Sequence, residues 1–360
     1  MRPNIQFPRF QQAGFSLIEL MVGLTIGLLA TVVIIQVMSV FDAQRRTTTG
    51  SADAQTNGGI ALYSIARELQ MGGYPLLPVT DSPLECTTVT FGGTGITGIT
   101  PVVITDGVAA SGVNASDSIT IRYGTTSMGG VPSQISSVVN TNEAVVGNSF
   151  GCATGDVTLI TSGSSCAVSK ANNLITVAGT PPTYKVVLAN TTLAASGAYL
   201  SCVGAWNEVT YSVNQATGNL DRTSVVNGVS TTTPSVVGVV NLQAQYGISA
   251  TANSNQVTAW VDASGATWAA PTVADRNRIK AIRIAVVARN AKMDPDVVST
   301  ACSSTTAASP TGVCAWIGSV ASPAPAIDLS PADANWARYR YRVYETIVPL
   351  RNVIWAKDTL

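Results

Sequence analysis

The 360-residue chain contains no histidine. That absence removes the commonest general base and the commonest zinc ligand. It excludes a Ser-His-Asp or Cys-His catalytic apparatus. Charge is scarce too: only 11% of residues are charged, and 20 basic side chains balance 20 acidic ones. A globally basic nucleic-acid binder is therefore not indicated. Aromatic residues make up 6%. No CxxC pair occurs, so zinc and thioredoxin-like readings lack their spacing. The composition points away from an enzyme, and neither a cofactor nor a metal is expected.

What is present is apolar and loop-forming. Hydrophobic residues reach 46%, and glycine, serine and threonine are abundant. This mix fits an extracytoplasmic β-rich domain with long polar loops. The length affords a sizeable core, as one large domain or two modest ones. The six cysteines are Cys86, Cys152, Cys166, Cys202, Cys302 and Cys314. In an oxidising compartment they could form disulfides, in many alternative pairings. Cys302 and Cys314 bracket a Ser/Thr/Ala/Pro-rich loop and suggest a local bridge. Cys152 and Cys166 suggest another, which would leave Cys86 with Cys202.

The N-terminus is the most informative stretch. Residues 1–14 carry Arg2, Arg9, two prolines and no acid. Residues 15–40 then hold a single charge, Glu19. As a helix that run would span ~39 Å, more than the ~30 Å hydrocarbon core. It is too long for the apolar region of a secretory signal, and no small-residue cleavage site follows it. A carboxylate in such a segment costs several kcal/mol unless it lies near an end or finds a partner. A cut between Gly14 and Phe15 would place a new α-amine one helical turn from Glu19, an i,i+4 relation. The amine could also meet Glu19 of a neighbouring copy. Basic residues flank the run on both sides (Arg2 and Arg9, Arg45 and Arg46), so they do not set its orientation.

Gly14-Phe15-Ser16-Leu17-Ile18-Glu19-Leu20 resembles the class III signal of type IV prepilins and type II secretion pseudopilins. The resemblance implies that a prepilin peptidase cuts after Gly14 on the cytoplasmic side. It implies that Phe15 becomes the N-methylated first residue and that Glu19 guides docking into a growing fibre. Removal of residues 1–14 would leave 360 − 14 = 346 residues and a side-chain charge of 18 − 20 = −2.

Beyond the apolar run, residues 44–70 contain no proline. Ile60, Tyr63 and Ala66 mark a helical rhythm, with Leu62, Ile65 and Leu69 beside it. Gly58-Gly59 would bend the helix. Gly72-Gly73-Tyr74-Pro75 should stop it. From residue 75 the pattern is β, with short strands expected over 87–91, 118–123, 156–160, 184–188, 209–213, 236–240 and 242–248. A hairpin is expected across 209–222, with its glycine in the turn. Residues 278–289 alternate as a half-buried strand. Residues 339–344 alternate too, with Arg338, Arg340 and Arg342 on one face. Residues 75–151 and 293–333 look most loop-like.

The expected fold is α+β and pilin-like: a long N-terminal helix, its first half in the membrane, packed on an antiparallel β-sheet-rich periplasmic head. The parts are a leader (1–14), a transmembrane assembly helix (15–40), the periplasmic half of the helix (41–73) and one head (74–360).

The head size, the residues 278–284 and 340–352, and Ile65 to Pro75 resemble the PilW group of minor pilins. That resemblance implies an assembly role. The protein would join other minor pilins in the inner membrane, prime polymerisation, and sit at the fibre tip with a PilY-type adhesin. Its other partners would be the major pilin, the prepilin peptidase, the inner-membrane platform and membrane lipid. Two alternatives are a type II secretion pseudopilin resembling the J subunit, and a tip receptor binding DNA or a host ligand. The latter rests on the arginine stripe alone, for which a salt-bridged sheet face is favoured over a nucleic-acid contact. Asp294-Pro295-Asp296 and the turn at Asp262 read as turn chemistry, not calcium loops. Gly92-Gly93-Thr94-Gly95 lacks the context of a phosphate loop. Trp260, Trp268, Trp316, Trp336 and Trp355 read as core or interface residues.

Overall fold

The absence of proline between Pro8 and Pro75 lets one helix run uninterrupted. In the computed structural model, which describes residues 14–76, 85–92, 94–96, 98–107, 115–149, 151–226, 228–330 and 333–354, α1 spans Leu17–Leu69. The chain divides at Gly50 into two units. The first holds the apolar part of α1. The second begins at Ser51 and contains the rest of α1 and all the strands.

α1 stops where glycine allows it. Gly73 adopts a left-handed φ of +80°, and the amide of Gly72 donates to the carbonyl of Leu69. Asn352 Nδ2 donates to the carbonyls of Gln70 (3.3 Å), Met71 (3.4 Å) and Gly72 (3.1 Å), so a residue near the C-terminus satisfies the open helix end.

In chain order the strands are β1 (Thr88–Phe91), β2 (Val102–Thr105), β3 (Ser118–Tyr123), β4 (Ser133–Val139), β5 (Glu143–Val146), β6 (Val157–Ser162), β7 (Ser165–Val177) and β8 (Thr183–Leu188). They continue with β9 (Tyr199–Gly204), β10 (Asn207–Asn214), β11 (Asn219–Val226), β12 (Val229–Val237), β13 (Val239–Ser249), β14 (Val257–Val261), β15 (Ile279–Arg289) and β16 (Tyr341–Pro349). Among the described residues they form three sheets, antiparallel except for the β1–β7 pair.

The first sheet runs β1-β7-β6-β9-β4-β5-β8, and β8 also pairs with β7. Six of its strands therefore close into a small barrel with no free edge between them. Ile135, Ile160, Ala167, Val186, Leu200 and Cys202 belong to one core cluster, Leu159, Cys166, Val168 and Val203 to another. The barrel explains why residues 75–151 looked loop-like. Its strands β4 and β5 are short, and their partners β8 and β9 lie well downstream.

The other two sheets, β12-β11-β10-β3-β2 and β14-β13-β15-β16, share one core with the end of α1. The chain passes from one to the other at Gly238, whose φ of +75° breaks the expected strand over 236–240. The expected hairpin is present as β10–β11, with Val209 opposite Ser224.

The buried face of α1 differs from the expected rhythm. Ala54, Gly58, Ala61, Ile65 and Leu69 are buried, while Ile60 and Tyr63 are exposed. Small residues define this face because the backbone lies close to the sheet. A Cβ on Gly58 would overlap the ring of Tyr344 and come within 3.2 Å of Ala288. Gly58-Gly59 is thus a seat for the sheet inside a continuous helix, not a helix break. On the opposing sheet, Arg222 donates to Glu68 Oε1 from Nε (3.1 Å) and Nη2 (2.7 Å). Burial pushes the nearby Tyr123 and Tyr211 hydroxyls up, so both stay neutral beside this pair.

β15 is buried on both faces rather than half-buried. Ile282, Ile284 and Val286 face the helix-side core. Ala285 and Val287 are covered by Val313, Trp316, Ala324, Ile327 and Leu329 of the strandless segment between β15 and β16. The Cys302–Cys314 disulfide ties that segment. The Arg283 guanidinium lies 4.4 Å over the Trp316 ring, and Gln245 Nε2 donates to the Pro323 carbonyl at 2.9 Å. These contacts hold the segment on the sheet.

The other disulfides are Cys86–Cys166 and Cys152–Cys202. This corrects the expected Cys152–Cys166 and Cys86–Cys202 pairing. Cys166 and Cys202 project to opposite faces of the barrel wall, as shown by their membership of different core clusters. The sheet's period of two puts each within reach only of a partner on its own side. Each bridge closes a long loop, 80 and 50 residues, worth about 3–5 kcal/mol in chain entropy.

Asp117 clasps two sheets together. Its Oδ1 accepts from the Gly107 amide at 2.9 Å, and its Oδ2 from the Ala244 amide of β13 at 2.7 Å. Burial pushes its carboxyl up to about 7, against the two amide donors, and the charges of Asp106 and Asp262 add to the rise.

Four outcomes are expected. Non-reducing digestion and mass spectrometry should recover peptides joined through Cys86–Cys166 and Cys152–Cys202; a Cys152–Cys166 peptide would contradict the barrel. Gly58→Val should lower unfolding free energy by about 1–3 kcal/mol through overpacking. Gly59→Ala, at an open position, should be neutral or stabilising by up to about 1 kcal/mol. Because the folded-state carboxyl of Asp117 is raised from 3.8 to about 7, the folded protein retains this proton longer than the unfolded chain. Its contribution therefore falls as pH rises through that window and levels off above it. Thermal scans of wild type and Asp117→Asn should show a shallower decline for the variant, whatever its absolute Tm.

Candidate assembly segment

Gly14, Phe15 and Ser16 precede the helix and are exposed, and α1 begins at Leu17. The start is a capping box, Ser16-x-x-Glu19. The Ser16 amide donates to Glu19 Oε2 at 3.2 Å, and the Ile18 amide donates to Ser16 Oγ at 3.4 Å. Glu19 thus has a role beside the expected counter-charge and docking: it closes the start of its own helix. The Ser-to-Glu spacing was a legible signal of this second role. The carboxylate also lies at the positive end of the helix dipole. Its Oε1 has no hydrogen bond among the described residues, so one oxygen stays available.

Among the described residues nothing packs against Gly14: a Cβ there would meet no atom within 4 Å. The local structure therefore makes no demand for glycine at this position. Phe15 is 87% exposed. Residues 1–13 of the expected leader lie outside the described residues.

From Leu17 to Asp42 the helix is apolar enough to cross a membrane, and none of that window is buried within the fold. A helix apolar on every side belongs in lipid or among other helices. Its hydroxyls are satisfied locally. Thr25, Thr31 and Ser39 donate to the carbonyls of Val22, Leu28 and Gln36 at 2.7–2.9 Å. Such bonds suit a water-free setting, where an unpaired polar group costs several kcal/mol.

In the second unit the arginine stripe does not form. Arg338 lies in the short turn Trp336–Arg338 and donates to the Pro295 carbonyl. Arg340 pairs with Asp294 at 2.9 Å. Of the three arginines, only Arg342 lies on β16 itself, where its side chain is exposed. Asp294-Pro295-Asp296 thus anchors arginines, and Asp262 accepts from Gln245 at 2.8 Å. Trp316 and Trp336 pack in the outer-face core, and Trp268 stacks with Arg278 and Tyr246. Trp355 and Gly93 lie outside the described residues. Trp206, fully buried in the cluster flanking the barrel, was not singled out from sequence. Among the described residues no group of three or more Cys, Asp or Glu side chains gathers as a metal site would require.

Residues 210–352 match the family model for Type IV Pilus-assembly protein W (PilW). That stretch runs from β10 through β16 and includes Asn352 at the helix end. Residues 9–35 match the prokaryotic N-terminal methylation motif. No curated protein and no solved structure matches the chain. The methylation motif lies on an apolar helix and the assembly-protein match covers the sheets that seat the end of that helix; together the two matches support a PilW-family minor pilin of a type IV pilus with a class III signal.

Proposed function

We propose that the protein primes pilus assembly as a non-catalytic subunit, and that Gly14, Phe15 and Glu19 carry the chemistry of its entry into the fibre. The supporting observation is an exposed, non-helical Gly14–Ser16 peptide set directly before a capped apolar helix. A protease needs an accessible bond outside regular secondary structure, and the Gly14–Phe15 bond is exposed and precedes the helix. The glycine has no packing reason to be there, which suits a requirement imposed by the peptidase.

The cut frees the Phe15 α-amine close to a carboxylate that already reaches back to Ser16. Lipid tails are as apolar as the helix surface, so burial of leucine and valine provides no drive for helices to associate there. A carboxylate and an amine in that setting seek each other strongly, and one such pair between copies can set the register of neighbours. The domain boundaries follow: leader 1–14, membrane helix 15–40, its continuation 41–73, and head 74–360. The head chooses neighbours: other minor pilins, the major pilin, and a PilY-type adhesin at the fibre tip. The prepilin peptidase and the inner-membrane platform act on the stem.

Gly14→Leu should accumulate a precursor whose mass begins at Met1. Glu19→Ala should be processed normally yet reduce surface pili by about tenfold or more, as expected when a charge pair worth ~1.4 kcal/mol or more is lost. Mature protein beginning at Phe15 in both strains, with wild-type pilus counts by electron microscopy, would defeat this reading.

A further inference from the structure

A polar cavity of about 180 Å³ opens where the β10–β11 turn meets the ends of β15 and β16. It is lined by Arg289, Asp333 and Tyr341, by Gln215, exposed Thr217 and buried Gly218 of the turn, and by buried Val240 and Leu329. Arg289 Nη1 bonds Asp333 Oδ2 at 3.2 Å, and the guanidinium lies 4.5 Å over the Tyr339 ring. Both residues of the pair are only partly buried. The Arg289 Nη2 end points toward Gly218, 3.5 Å from where a Cβ would stand. The turn is held rigid by Asn214, whose Oδ1 accepts from the amides of Ala216 and Thr217.

These features select a ligand class. An ion pair in a cavity wall is neutral overall, so the site does not favour phosphate or a nucleic-acid backbone. It presents N–H donors and carboxylate acceptors side by side, the pattern that vicinal hydroxyls satisfy by donating and accepting at once. Tyr341 also lines the cavity and adds an aromatic side chain to its wall. The volume falls below the ~300–1,000 Å³ of drug-sized pockets and suits one small ring. We propose that this cavity binds a single neutral hexose unit, which would give the head a glycan-contacting function separate from assembly.

The test uses the full-length protein in a zwitterionic detergent without a sugar headgroup. Saturation-transfer NMR would be run with glucose, galactose, mannose and N-acetylglucosamine, and with inorganic phosphate as competitor. At least one sugar should receive saturation in wild type and be unaffected by phosphate. Thr217→Trp, an exposed rim substitution that plugs the mouth, should abolish the transfer at unchanged Tm. Arg289→Gln should weaken binding by about tenfold, the scale of a lost charge-assisted hydrogen bond. No transfer from any of the sugars, transfer that survives Thr217→Trp, or displacement by phosphate would overturn the proposal. None of these readouts depends on processing at Gly14, so failure here leaves the assembly reading standing.

Discussion

The close seating of one helix face on two sheets is the constraint on which the head depends. Ala54, Gly58, Ala61, Ile65 and Leu69 form a stripe of small and medium residues, buried against strands from both. Glycine at 58 lets Tyr344 lie against the helix backbone. The Glu68–Arg222 pair and the Asn352 cap fix the last turn from two other directions. Each contact draws on a distant part of the chain, so the helix end acts as the hub joining β3, β10, β13, β15 and the C-terminal turn. An error in the helix face would expose apolar surface on both sheets at once.

This arrangement divides labour along one continuous helix. Residues in the second unit are specified by packing, and they tolerate few changes in volume. Residues 17–42 are specified by a different solvent. There, local hydroxyl-to-carbonyl bonds and an N-terminal capping box satisfy polar groups without water. Glu19 takes part in that local satisfaction, since its carboxylate accepts from the Ser16 amide at the helix start. The protein is anchored by this stem in the inner membrane, with a periplasmic head, before it enters the pilus.

The remaining charges of the head act mainly as internal fasteners. Arg283 stacks on Trp316, Arg340 pairs with Asp294, and Arg289 pairs with Asp333. Partly exposed pairs of this kind contribute modestly to stability, roughly 0–1 kcal/mol each. Their larger effect is positional, because they hold a long segment with no strands of its own across the outer face of β15. An oxidising compartment supplies the covalent counterpart, with bridges on both sides of the barrel wall and one within the outer segment.

The sequence alone determined the anchor. A 26-residue apolar run with one acid, opening on Phe15 directly after Gly14, is a local pattern, and local patterns survive reading in one dimension. The helix stop at Gly72-Gly73, the β10–β11 hairpin and the existence of strand β15, though not its burial on both faces, were legible for the same reason. Tertiary structure decided what depended on distant partners. The closed barrel hid in short Ser/Thr-rich strands whose neighbours lie far along the chain. The disulfide pairing followed from which face of that barrel each cysteine occupies. The buried side of α1 followed from a close approach that favours glycine and alanine over the larger Ile60 and Tyr63. The arginine stripe dissolved because Arg338 and Arg340 meet the 294–296 turn, a contact that strand periodicity could not reveal.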